Sequence, residues 1–187
     1  MLLSDLSPPP YFVREPGGTP AAERIREMLL DQELDMDPWA EAYLYAAARA
    51  DLVRRGILPR LKEGRLVLCE RFLDSSLAYQ GAGRGIEVAA VRELNAWAVD
   101  GVEPDLTFYL RLGEEERARR ARQLGAPLDR IEKIGDDFVR RVEEGFEEIA
   151  RGEPKRVRTL DASLPPEELV EAIGEEILNL CGGDGNL

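Results

Sequence analysis

Three runs of apolar residues leave this chain few folds to choose from. Leu66, Val67, Leu68 and Cys69, then the stretch 106–112, and more weakly 157–160, lack the alternation of half-buried strands and read as strands covered on both faces. Helical spacing occupies about 87–99, 114–123, 135–151 and 166–180, so strand and helix alternate. That order predicts an α/β fold, a parallel sheet with helices on both faces. Upstream, Tyr11, Phe12 and Val13 form a shorter run that stops at the turn Pro16-Gly17-Gly18 and leads into a helix over 21–30. Asp37 caps a second helix whose first turn takes Pro38, and its apolar positions recur through Tyr45, Leu52 and Val53 to an end near Gly64, with a bend at Pro59.

With 187 residues the chain is sized for a single domain over 1–187. Its formal charge of −12 repels a polyanion at long range, which excludes a general nucleic-acid surface and leaves only local anion sites. There is no histidine, so serine and cysteine triads and histidine-based zinc sites are excluded, and chemistry must rest on carboxylates, arginines, hydroxyls or a borrowed metal. Cys69 and Cys181 form no motif and read as free thiols. Without a membrane span or a signal core, the expected location is cytoplasmic.

Doubly wound sheets bind ligands beyond the carboxyl ends of their strands, where Arg14-Glu15, Glu70-Arg71 and Arg111 fall. Arg14 precedes a flexible turn and a helix start, an arrangement that suits a phosphate or carboxylate as well as it suits a plain turn. After Glu70-Arg71-Phe72, the segment 73–85 (LDSSLAYQGAGRG) packs hydroxyls, an amide, a ring and an arginine into a span that a helix cap alone does not require. Tyr45 and Arg49, four residues apart, share one helix face, where a ring and a guanidinium can meet a base or simply fill a core.

Residues 14–19, 44–49, 74–85 and the run Leu128-Asp129-Arg130-Ile131-Glu132 resemble, in order and spacing, the signatures of bacterial thymidylate kinases. The likeness covers roughly 11–180, and 75–85 is its most specific part. It implies a P-loop-kinase-like fold, dTMP as substrate, ATP as phosphoryl donor with Mg2+, dTDP as product and a homodimer. By position, it implies that Arg14 and Arg71 hold the monophosphate and that Tyr45 stacks on thymine where the family has phenylalanine. Arg49 would donate to a thymine carbonyl, Ser76 and Gln80 would address the rest of the base edge, Tyr79 would line the sugar pocket, and Arg26 matches another site arginine. Glu70 would act with Arg71 in catalysis and reach the metal, although the family usually shows Asp-Arg followed by Tyr or His there. A lid is expected at about 117–133, with Arg120 and Arg122 on ATP and Arg122 on the transferring phosphoryl group, and Asp161 and Ala162 are expected beside adenine.

The resemblance also implies a strand, a glycine-rich loop ending in Gly-Lys-Ser/Thr and a helix ahead of Arg14, where this sequence has thirteen residues. Its only lysines are 62, 133 and 155, and none follows such a loop. The expectation is therefore a sheet without its central first strand and a chain that alone is a weak kinase or none, because the loop supplies much of the electrostatic stabilisation in phosphoryl transfer. Two further expectations stay open, a non-catalytic dTMP-binding homologue and a kinase for another pyrimidine monophosphate.

Overall fold

A computed structural model describes residues 7–124, 130–131 and 134–183. The described residues of Ser7–Glu103 and Leu128–Ile149 form one compact unit, and those of Pro104–Pro127 and Ala150–Leu187 form another. Among the described residues no helix is long and apolar enough to cross a membrane.

In the first unit, β1 (Tyr11–Arg14) pairs in parallel with β2 (Val67–Glu70), with Tyr11 opposite Val67 and Arg14 opposite Glu70. Parallel strands need a crossover, and here it is helical. Helix α1 (Pro20–Leu30) starts where Thr19 Oγ1 accepts from the Ala22 amide, and Pro20 takes the first turn, where no amide is needed. Helix α2 (Pro38–Leu52) starts at the predicted Asp37, whose carboxylate accepts from the Trp39 amide at 2.8 Å.

Val53–Ile57 continues α2 as a π turn that passes into α3 (Leu58–Lys62). Pro59 has no amide to return to the preceding turn, and the Arg55 carbonyl accepts from the Arg60 guanidinium instead. The irregularity expected at Pro59 thus lies in the turn before it. Leu52, Val53 and Ile57 form a buried cluster with Val13, Val67 and Cys69 packed against it, which seats the helix on the strands. Gly18, at φ +83°, lies where they meet, and a Cβ there would lie 2.4 Å from Val13 Cγ2 and 2.8 Å from Leu52 Cδ1.

After β2 come α4 (Leu73–Ser76), a second π turn (Leu77–Gly83) and α5 (Val88–Val99). Leu77, Ile86 and Val91 pack with Ala42 of α2, while Ala78 packs with Ile131, Phe138 and Val142.

The second unit holds β3 (Thr107–Arg111), α6 (Glu114–Leu124), β4 (Val157–Asp161) and α8 (Pro166–Gly183). β3 and β4 pair in parallel, from Thr107 opposite Val157 to Arg111 opposite Asp161. Helix α7 (Asp136–Gly152) leads from one unit to the other along the chain.

The parallel α/β class agrees with the sequence reading, whereas the expected coverage of the strands does not. Among the described residues no strand joins the two pairs into one sheet. Each strand therefore has one β neighbour, and apolar side chains stay open, with Phe12 69% and Leu110 49% exposed.

The glycines of the 81–85 segment serve close packing as well as turning. A Cβ on Gly83 would lie 2.6 Å from Phe138 Cε2 and 2.7 Å from Val142 Cγ2, and Arg141 donates to the Gly83 carbonyl from the same helix, α7. Gly83→Ala should cost about 1–3 kcal/mol by overpacking, read as a lowered melting temperature. A melting temperature equal to that of wild type would show that α7 can withdraw freely.

Candidate functional site

Two strand ends, four helices (α1, α2, α4 and α7) and a π turn of the first unit surround a cavity of about 330 Å³, within the range of small-molecule sites. The predicted Arg14, Arg26, Tyr45, Arg49, Glu70, Arg71, Ser76, Tyr79 and Gln80 all line it, and Ile131, Phe138 and Val142 supply an apolar side. The π turn matters here because a wider turn displaces side chains from α-helical registry, and it carries Tyr79 and Gln80.

At the end of β2, Arg71 stands at φ 63°. A non-glycine residue there costs roughly 1–3 kcal/mol and persists only where its surroundings impose it. The Cys69 thiol donates to the Arg71 carbonyl at 3.0 Å. The guanidinium lies 5.1 Å from the centroid of the Tyr79 ring and is hydrogen-bonded to that side chain. Burial, reinforced by the Glu15 carboxylate, pushes the Cys69 thiol up to about 12, so it serves as a donor and not as a nucleophile.

Arg14 is held by an exposed ion pair with Glu23 at 3.1 Å, and the Gly18 amide donates to the same carboxylate. Such a pair is worth at most about 1 kcal/mol, which leaves Arg14 available to a stronger anion. Arg26 donates to the Pro16 carbonyl at 3.0 Å.

The buried part of the lining is built differently. Arg49 is 1% exposed and gives Nε and Nη2 to Glu15, the latter at 2.6 Å, while Nη1 donates to Ser76 Oγ and Asn95 Oδ1. Burial pushes the Glu15 carboxyl above its ordinary value against the pull of Arg49. Ser76, which could have been read as a helix cap, instead accepts from Arg49.

Gln80 is likewise engaged, donating from Nε2 to Glu41 Oε1 at 3.0 Å. Glu41 is fully buried and also binds Arg84 and Arg130. Burial would raise its pKa, but the hydrogen bonds from Arg84, Gln80 and Arg130 outweigh that and hold it below the usual value. Arg130, inside the range expected for a lid, is thus anchored to Glu41 and to the Leu29 carbonyl. Residues 125–129, 132 and 133 of that range lie outside the described residues.

The sequence reading missed Glu15, Glu41 and Asn95 as organisers of the site. The available signal was a polar residue set between apolar neighbours, Glu41 between Ala40 and Ala42 in α2 and Asn95 between Leu94 and Ala96 in α5, although their side-chain partners lie 39 to 89 positions away.

In the second unit the predicted nucleotide residues are placed as follows. Arg119 and Arg120 both bind Glu116, holding its carboxyl at about 2, so Arg120 is engaged on its own helix; Arg122 is exposed on α6. A carboxylate one helical turn away is thus the partner that Arg120 holds in this structure. Asp161 accepts from the Ser163 amide at 2.9 Å, with its carboxyl held below the ordinary value by Ser163, and the Ala162 amide donates to the Arg111 carbonyl.

The family model described as thymidylate kinase matches residues 3–173. The chain belongs to the thymidylate kinase family. A thymidylate kinase of Pelotomaculum thermopropionicum is 48% identical over 162 residues, covering 86% of this chain and 75% of that relative. A thymidylate kinase of Deinococcus radiodurans is 46% identical over 156 residues, covering 83% and 75%. Among solved structures, thymidylate kinase from Ehrlichia chaffeensis superposes with a TM-score of 0.69 at 29% identity, over 90% of this chain and 79% of that one. The fold is therefore that of the thymidylate kinases, P-loop kinases by the likeness read from the sequence.

Proposed function

We propose that this thymidylate kinase phosphorylates dTMP to dTDP with ATP, and that the cavity of the first unit is its dTMP site. The observation that carries this reading is the convergence of all nine of those residues on one cavity, whose lining carries the cations Arg14, Arg26 and Arg71 together with the rings of Tyr45 and Tyr79.

The lining divides the labour by charge. Arg71, with Arg14 once released from Glu23, would hold the monophosphate through charge-assisted bonds worth roughly 1.5–3 kcal/mol each. Tyr45 would present its ring to the pyrimidine, a contact of order 1–3 kcal/mol in other base-binding sites. Ser76 and Gln80 shape the base end mainly through the partners they hold, Arg49 and Glu41, and Tyr79 lines the sugar position.

Glu70 is an exposed carboxylate at the end of β2, and among the described residues no cluster of three acidic or sulfur ligands forms a metal cage. One carboxylate fits Mg2+, which keeps most of its waters and shares phosphate oxygens. When bound, the metal would neutralise phosphate charge. On the donor side we assign Arg122 and Arg120 to ATP, Arg120 by exchange from Glu116, with Asp161 and Ala162 beside the adenine and a lid at about 117–133. A cytoplasmic homodimer completes the proposal.

Titration calorimetry with dTMP, and a coupled assay of dTDP formation with ATP and Mg2+, test the reading. Saturable one-to-one binding of dTMP is expected, with dTMP preferred over dCMP. No dTMP binding by the folded protein would overturn the assignment of the cavity, while binding without turnover would favour a non-catalytic dTMP-binding homologue.

A further inference from the structure

A guanidinium has five N–H groups, and among the described residues four of those on Arg49 are taken. Nε and one Nη2 hydrogen go to Glu15, and the two Nη1 hydrogens go to Ser76 and Asn95. Asn95, on α5, is 1% exposed and is not among the residues lining the cavity. Its Nδ2 donates to the Val91 carbonyl at 2.8 Å, which turns its oxygen toward Arg49. Glu15 sits opposite as a bidentate, buried counter-ion.

We propose that Glu15 and Asn95 are positioning residues that reduce Arg49 to one fixed donor with its charge cancelled, and that this clamp sets the selectivity for a carbonyl over an amino group on the pyrimidine. The inference rests on the dTMP reading of the cavity. Two physical consequences support it. Pairing with Glu15 removes Arg49 from competition for phosphate, so the anion goes to the Arg71 end. Clamping from three sides also leaves a single N–H whose direction the planar fork fixes. A carbonyl meets that donor, whereas an amino group would set donor against donor in a dry site.

The test is calorimetry of the full chain with dTMP, dCMP and deoxyribose 5-phosphate, the last carrying the phosphate end without a base. Asn95→Leu should weaken dTMP binding about tenfold or more and lower the dTMP to dCMP affinity ratio by a similar factor. Deoxyribose 5-phosphate affinity should stay within about twofold of wild type, a pattern that general loosening of the fold would not produce. Asn95→Ser, too short to reach Arg49, carries the same expectation if the leucine variant does not fold. An unchanged ratio in the first two variants, or sugar-phosphate binding lost in step with dTMP, would overturn the clamp. Failure of wild type to bind dTMP would instead bring down the reading of the cavity, and the clamp with it.

Discussion

Arg71→Ala should abolish measurable dTMP binding while leaving the protein folded. The loss is expected to be at least about 100-fold, because a fork that makes two charge-assisted bonds to phosphate forfeits roughly 1.5–3 kcal/mol for each. Stability should change little, since arginine and alanine bear a similar cost at φ 63° and the contact with Tyr79 is worth only about 0.5–1 kcal/mol. Arg71→Gly sharpens the test, because glycine adopts that backbone without strain and should be no less stable than wild type while still failing to bind. Arg71→Lys keeps a charge without the fork and should fall between. Unchanged dTMP affinity in the alanine variant would show that the phosphate end lies elsewhere.

Glu41→Gln should produce the largest change in stability. Glutamine keeps the shape but removes the charge that meets two mostly buried guanidiniums, Arg84 and Arg130, and it turns a donor toward one of them. Breaking a buried pair by removing one partner typically costs about 3–5 kcal/mol, or about 10 °C in the melting temperature of a chain this size. The effect has a definite pH dependence. The folded protein holds the Glu41 carboxyl below its ordinary value of 4.5, so as pH falls the unfolded chain takes up the proton first. The contribution of Glu41 is complete above that value and is lost as pH falls toward the lower folded value. Melting curves of wild type and variant should therefore converge in acid and stay parallel above about pH 6. A variant within about 2 °C of wild type at pH 7 would show that the two arginines find other partners.

The elements that local chemistry controls were legible. Asp37 before Pro38 starts α2 where expected, because a cap and its proline act within one turn. The apolar runs became β2, β3 and β4 to within a residue or two. Tyr45 and Arg49, placed on one face by helical geometry alone, reach the same cavity. The irregularity before Pro59 was foreseen as a bend, but the π turn over Leu77–Gly83 was not legible, since it depends on how Gly83 packs against Phe138 and Val142.

Charge patterning was readable only over short range. Arg119 and Arg120 beside Glu116 could be foreseen as a solvated helix pair, because three or four residues separate them. Arg49 with Glu15, and Arg130 with Glu41, could not, because they lie 34 and 89 positions apart.

By itself the sequence determined which segments are helix and which are strand, which end of each strand carries chemistry, and which family the motifs resemble, since all of these follow from residue type and spacing along one backbone. The tertiary structure alone decided which guanidiniums meet a carboxylate of the protein and which are left for a ligand. Desolvation and partner geometry settle that choice, and both exist only once distant segments have packed together.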